Sequence, residues 1–291
     1  MPTQTFSLSK RQWLAGAGAC AIWSSVGQIA HAETKLTGPG EPIEIGKGYD
    51  VQSLVLGHTR RVNISLPTGY DDPENAATRY PVLYLLDGGA DWQDFAHIAS
   101  LVQQGGTWGA SAAMIVVGIE SQDRKAEFTA PTLDPQEQKD FPTSGKAALF
   151  RRFLIDELRP LINATCRANG TNALMGESLA GLFVVETALR SALLFQDYIA
   201  ISPSLWWDGE RLSKDAEKLL KESRPAHYAL WLAIADEGGT MQTGMDRLVA
   251  ALRSDAGSSV AWTYRPYPTE KHSTIYHPAA TEAIRALFPA K

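Results

Sequence analysis

The chain has 291 residues, 44% of them hydrophobic, enough to bury a large core without any forced disorder. Its 27 basic and 32 acidic residues leave a net charge of -5 with no arginine-rich block, which argues against a nucleic-acid partner. The first 32 residues read as an export signal: Lys10-Arg11 form a basic start, an apolar stretch runs from Trp13 to about Ile29, and Ala30-His31-Ala32 is a small-residue cleavage site. A twin-arginine type is expected, with Lys10 in place of the first arginine. The working domain would then be residues 33–291, periplasmic, without a stable membrane anchor. It keeps one cysteine, Cys166, so its core has to hold without an internal disulfide.

Residues 33–47, rich in Gly and Pro, are expected to be an extended lead-in. Arg61–Pro67 alternates like a strand and ends in turn residues. Tyr80–Asp87 and Ala113–Ile119 are unbroken apolar runs, the signature of parallel strands covered on both faces. Tyr198–Ser202, Ala229–Ala235 and Val260–Tyr267 repeat it. Between them lie helical stripes: Phe150 to Ile162, which Pro160 should kink or shorten, Met245 to Leu252, and Ile284 to Phe288. The alternation implies an α/β fold with a doubly wound, mostly parallel sheet and a site at the strands' carboxyl ends. Residues 121–146, polar and carrying three prolines, are expected to form an irregular loop over that site.

The chemistry centres on Asn172 to Val185, a short strand, a tight turn carrying Ser178, and a helix. Gly176, Ala180 and Gly181 supply the small neighbours that a nucleophile elbow needs, although Ala180 departs from strict Gly-x-Ser-x-Gly. Ser178 would be the nucleophile. The Leu179 N–H and that of Gly89, just past a strand end, would receive an oxyanion. A serine needs a base and the base needs an acid. His272 follows the last strand and is preferred over His277 as the base. The acid stays open between Asp236, nearer the strand end and preferred, and Glu237, each with helix capping as its competing role. Scattered histidines and a lone cysteine give no metal site, and no cofactor is expected.

These residues resemble the Putative esterase family of α/β hydrolases, and within it the bacterial periplasmic esterases that open enterobactin- and salmochelin-type siderophore trilactones. The likeness runs over about residues 45–289. It rests on Tyr80–Gly88, Ile115–Ile119 with Asp123-Arg124 and Glu127-Phe-Thr129, Gly176–Phe183, and Ile201-Ser-Pro-Ser-Leu-Trp-Trp207. It implies the α/β-hydrolase fold, a serine esterase acting on a small-molecule ester such as a catecholate siderophore, and the same roles for Ser178, His272, Gly89 and Leu179. At the acid the family's usual Gly-Glu-x-Glu is replaced by Ala235-Asp-Glu-Gly238, and some periplasmic members resemble a Ser-His dyad. Trp92, Trp206 and Trp207 are candidates for an aromatic wall, and Arg124 for a cation that meets an anionic substrate. A general carboxylesterase or acyltransferase, or an inactive ligand-binding hydrolase fold, are the alternatives.

Overall fold

A computed structural model of the protein describes residues 38–90, 94–222 and 227–290. Residues 1–32, where the sequence reading expects an export signal, and Trp92 lie outside the described residues. Eight strands form one sheet: β1 (Lys47–Gln52), β2 (Thr59–Ser65), β3 (Tyr80–Leu86), β4 (Ile115–Ile119), β5 (Ala168–Glu177), β6 (Asp197–Ile201), β7 (Tyr228–Ala235) and β8 (Val260–Tyr267). Their order is β1-β2-β4-β3-β5-β6-β7-β8, with β2 antiparallel to both neighbours and every other pairing after it parallel.

The apolar runs become central strands because both of their faces are covered. In β3, Val82, Tyr84 and Leu86 enter one core and Leu83 and Leu85 the other, all essentially without exposure. The second core is closed by α1 (Asp94–Thr107) through Phe95, Ile98 and Val102, together with the C-terminal helix Tyr276–Leu287. The first core takes the helices of the opposite face. These are α2 (Arg124–Phe128), α4 (Ala147–Arg152), α5 (Arg159–Thr165), α6 (Leu179–Arg190), α7 (Trp207–Lys214), α8 (Ala216–Glu222) and α9 (Gly239–Arg253), of which α6 buries the most residues, while α3 (Pro135–Asp140) buries none. The C-terminal helix is α10. This is the α/β-hydrolase arrangement, with the strands' carboxyl ends gathered on one edge.

Three expectations change. The lead-in ends in β1, an edge strand paired to β2 over Lys47–Gln52; its mixed, largely exposed sequence carries no apolar signal. Pro160 does not end its helix. The six residues Phe153–Leu158 widen into a π-helix between α4 and α5, the helical backbone runs on through Leu158 and Arg159, and Pro160 follows directly on the widened turn. Residues 121–146 are not irregular throughout, since they hold α2 and α3. Asp123 caps α2 by accepting from Lys125 N and Ala126 N at 3.1 Å each, and Asp134 caps α3 ahead of Pro135 and Glu137.

Arg60 ties this segment to the sheet. It is fully buried, donates to the Glu127 carboxylate at 2.6 Å and to Glu120 O at 2.7 Å, and lies over the Phe150 ring. Removing one partner of such a pair leaves the other charge enclosed, so Arg60→Ala is expected to lower unfolding free energy by about 3–5 kcal/mol. Arg61→Ala, which breaks an exposed pair with Asp50, should cost well under about 1 kcal/mol in the same denaturant titration.

Candidate active site

Strand β5 ends at Glu177, and Ser178 turns the chain into α6 with φ 60° and ψ -120°. A non-glycine residue in that region is strained, and the surroundings hold it there. Ser178 N donates to Ile201 O at 3.0 Å, while Ser178 O accepts from Leu182 N and Ser204 N at 2.9 and 3.0 Å. The neighbours have to be small: a Cβ on Gly176 would lie 2.7 Å from the Ala180 backbone, and one on Gly181 would lie 2.9 Å from Ile201 O. The Leu179 N–H sits in the first turn of α6, where helix geometry leaves amides without an internal acceptor.

Gly89 reaches the same place from β3. Gly88 N donates to Ile119 O, and buried Asn63 donates through Nδ2 to Gly88 O, both at 2.9 Å. In a trans peptide the C=O and N–H point in opposite directions, so Asn63 fixes the heading of the Gly89 N–H on the side away from itself. Gly88 permits this because its backbone runs against Gly118, whose Cα would be 2.3 Å from an added Cβ. Asn63 stands in the sequence as one polar residue of an alternating strand, and nothing local marks it.

A cavity of about 290 Å3 opens beside the elbow, lined by Ser178, His272, Gly89, Arg124 and four carboxylic residues, Asp87, Asp94, Glu120 and Glu177. His272 Nδ1 lies 2.7 Å from Glu237 Oε1, so Nδ1–H donates to that carboxylate and Nε2 is the nitrogen a hydroxyl in the cavity would address. Asp236, the preferred acid of the sequence reading, points elsewhere: its exposed carboxylate pairs with Lys271 Nζ at 2.5 Å, which lowers its pKa. The physical reason is alternation. Asp236 N still bonds across to Glu270 O as an extension of β7, so successive side chains face opposite ways and Glu237, with only a tenth of its side chain exposed, turns to the histidine. His277 is also elsewhere, in α10, with Nε2 2.8 Å from Nδ1 of His97 in α1.

Arg124 lies on the cavity wall, bound through Nε to both oxygens of Asp87 at 3.0 and 2.9 Å. Trp206 and Trp207 are not on that wall. They form an aromatic cluster with Phe141, and the buried Trp207 donates from Nε1 to Ala130 O at 3.0 Å, so they anchor the α2–α4 segment to α7. Ser204, given no role in the sequence reading although it stands in the motif Ile201–Trp207, is buried with its Oγ 3.3 Å from Ser178 Oγ. Burial pushes the carboxyls of Asp87 and Asp94 above their usual range, and Glu177 up to about 8.

Residues 53–268 match the Putative esterase family. The chain belongs to that family. Among its relatives, ferri-bacillibactin esterase BesA of Bacillus subtilis is 28% identical over 59% of this chain and 64% of its own length. The siderophore triacetylfusarinine C esterase of Aspergillus fumigatus is 22% identical over 59% of the chain and 60% of its own. The chain thus spans less than two thirds of the length of these curated relatives. A solved IroE-like serine hydrolase from Shewanella oneidensis superposes with a TM-score of 0.71 at 28% identity, covering 84% of this chain and 80% of that one. The family likeness takes in the strands that carry the elbow, Gly89 and Glu237; His272 lies just beyond the matched residues. Among the described residues no helix is long and apolar enough to cross a membrane, and no group of three or more His, Cys, Asp or Glu could hold a metal ion.

Proposed function

We propose that this protein is an exported serine esterase that hydrolyses ester bonds of a siderophore lactone. The observation that carries the reading is the pairing of an elbow serine with a histidine whose Nδ1 is held by a carboxylate, both on one cavity. Ser178 Oγ attacks the ester carbonyl as His272 Nε2 takes its proton, and Glu237 stabilises the imidazolium. The N–H groups of Gly89 and Leu179 receive the oxyanion. Collapse expels the alcohol, which takes the proton from His272, and water activated by the same imidazole then releases the acid from the acyl-enzyme. Siderophore esterases among the relatives support the substrate class, and the basic start with Ala30-His31-Ala32 supports export of residues 33–291 to the periplasm.

Mass spectrometry of products from an ester panel that includes a catecholate trilactone tests this. Linear hydrolysis products, formed with kcat/KM at least about tenfold above that for simple acetyl esters, are expected. Equal efficiency on short esters would leave a general carboxylesterase, and binding without turnover of any ester would leave a ligand-binding hydrolase fold.

A further inference from the structure

The wall of the cavity carries an unusual charge pattern for a site expected to meet ferric siderophores, which are commonly anionic. Asp87 closes β3 with a left-handed backbone (φ 54°), Asp94 opens α1, Glu120 follows β4, and Glu177 immediately precedes the nucleophile. Among the described residues that line the wall, the one arginine or lysine, Arg124, is already bound through Nε to both oxygens of Asp87. Glu177 differs from the other three. Its Oε1 is enclosed and meets no hydrogen-bond partner among the described residues, which for an ionised carboxylate would be costly.

We propose, resting on the esterase reading above, that Glu177 is a specificity-determining group of this cavity: through Oε2, the carboxyl oxygen that is not enclosed, it offers an O–H to the substrate and, with Asp87, Asp94 and Glu120, admits esters whose cavity-bound part is uncharged over those carrying a negative charge there. A volume of about 290 Å3 takes an ester and its immediate flanks. The anionic chelating groups of a metal-loaded substrate then stay at the rim, and the neutral lactone enters.

The electrostatics agree. Burial raises the Glu177 carboxyl to about 8, with Asp94, Asp87 and Glu237 adding to the rise and Arg124 opposing it. At pH 7 the group is therefore neutral and can donate; as pH climbs through 8 it becomes a further negative charge beside Ser178. Tyr276, buried in α10 at the cavity, has its hydroxyl held protonated by burial and by Asp94, Glu177 and Asp87. His272 also faces the cavity and serves every ester as base, so any pH dependence it brings is common to all substrates. A ratio of two substrates removes that contribution, because the same base serves both.

The experiment compares p-nitrophenyl butyrate with p-nitrophenyl hemisuccinate, similar in size but differing by a terminal carboxylate that is fully ionised throughout pH 7–9.5. After subtraction of each ester's spontaneous hydrolysis, which for the hemisuccinate includes attack by its own carboxylate to give succinic anhydride, and correction for reactivity toward hydroxide, the wild-type protein should favour the butyrate by about tenfold in kcat/KM at pH 7. That ratio should grow by about threefold more by pH 9.5 as Glu177 ionises. In Glu177→Gln the ratio should stay flat across that range, and Glu177→Leu, which cannot donate, should have a kcat/KM for the butyrate about tenfold below Glu177→Gln at pH 7. Turnover of both esters with a wild-type ratio near one, or a ratio that rises equally in Glu177→Gln, would overturn the proposal while leaving the esterase standing. Absence of turnover of either ester by the wild type would overturn the esterase reading and this proposal with it.

Discussion

Ser178→Ala is expected to lower kcat by about 10³-fold or more while the unfolding transition stays close to that of the wild type. The loss follows because the whole reaction passes through Oγ. The fold should tolerate the change because the elbow is held by backbone groups: Ile201 O on one side, and Leu182 N and Ser204 N on the other. The side chain makes one hydroxyl contact, to Ser204 Oγ at 3.3 Å, and alanine takes up the positive φ no less easily than serine. Stopped-flow measurement with a chromogenic ester would read the change directly. If turnover survives in Ser178→Ala and disappears in Ser204→Ala, the nucleophile is the neighbour and the elbow only its support.

Glu237→Gln should be the second large effect, lowering kcat by about 10²–10⁴-fold with little change in KM, whereas Asp236→Asn should stay within about threefold of wild type. A glutamine can still occupy the place of Glu237, but it does not supply the negative charge that stabilises an imidazolium, and its amide can favour the wrong tautomer. Asp236 loses only an exposed pair with Lys271, and such pairs contribute little. Steady-state kinetics of the two variants side by side decides the matter. Near wild-type rates in both would mean that His272 works as a dyad with Ser178, and a large loss in Asp236→Asn alone would return the acid to the position the sequence favoured.

The contrast between those two neighbouring acids shows what a linear reading can carry. The elbow was legible because its needs are local: small residues at 176, 180 and 181, an apolar strand before and a helix after. The central strands were legible for the same reason, since burial on both faces writes an unbroken apolar run. The orientation of the two candidate acids was not, because which of 236 and 237 turns to His272 depends on the way a side chain faces once a strand has ended, and that is set by the Asp236 N to Glu270 O bond from a distant turn. Trp206 and Trp207 lie off the cavity for a related reason. Aromatic residues next to an elbow look the same in sequence whether they face a cavity or, as here, pack on Phe141. Helix α3 was missed although Asp134-Pro135-Gln-Glu137 is a start signal; the surrounding prolines and polarity masked it. The four carboxylates of the cavity come from four separate elements and meet only in three dimensions.

The contact between Gly88 and Gly118 bears on how such a protein can diversify. A Cβ at either position would strike main-chain atoms of the other strand at 2.3–2.5 Å, so there is no flexible tip to yield and neither site can accept a second residue without moving the strands themselves. The peptide that presents the Gly89 N–H therefore inherits the rigidity of the sheet, and drift cannot reshape it by small steps. Variation has more room at Glu120, Arg124 and Glu177, whose side chains lie on the cavity wall while their backbones belong to elements secured elsewhere. A lineage carrying this scaffold would be expected to acquire new substrates by exchanging charges on that wall, with the groups that stabilise the transition state inherited unchanged.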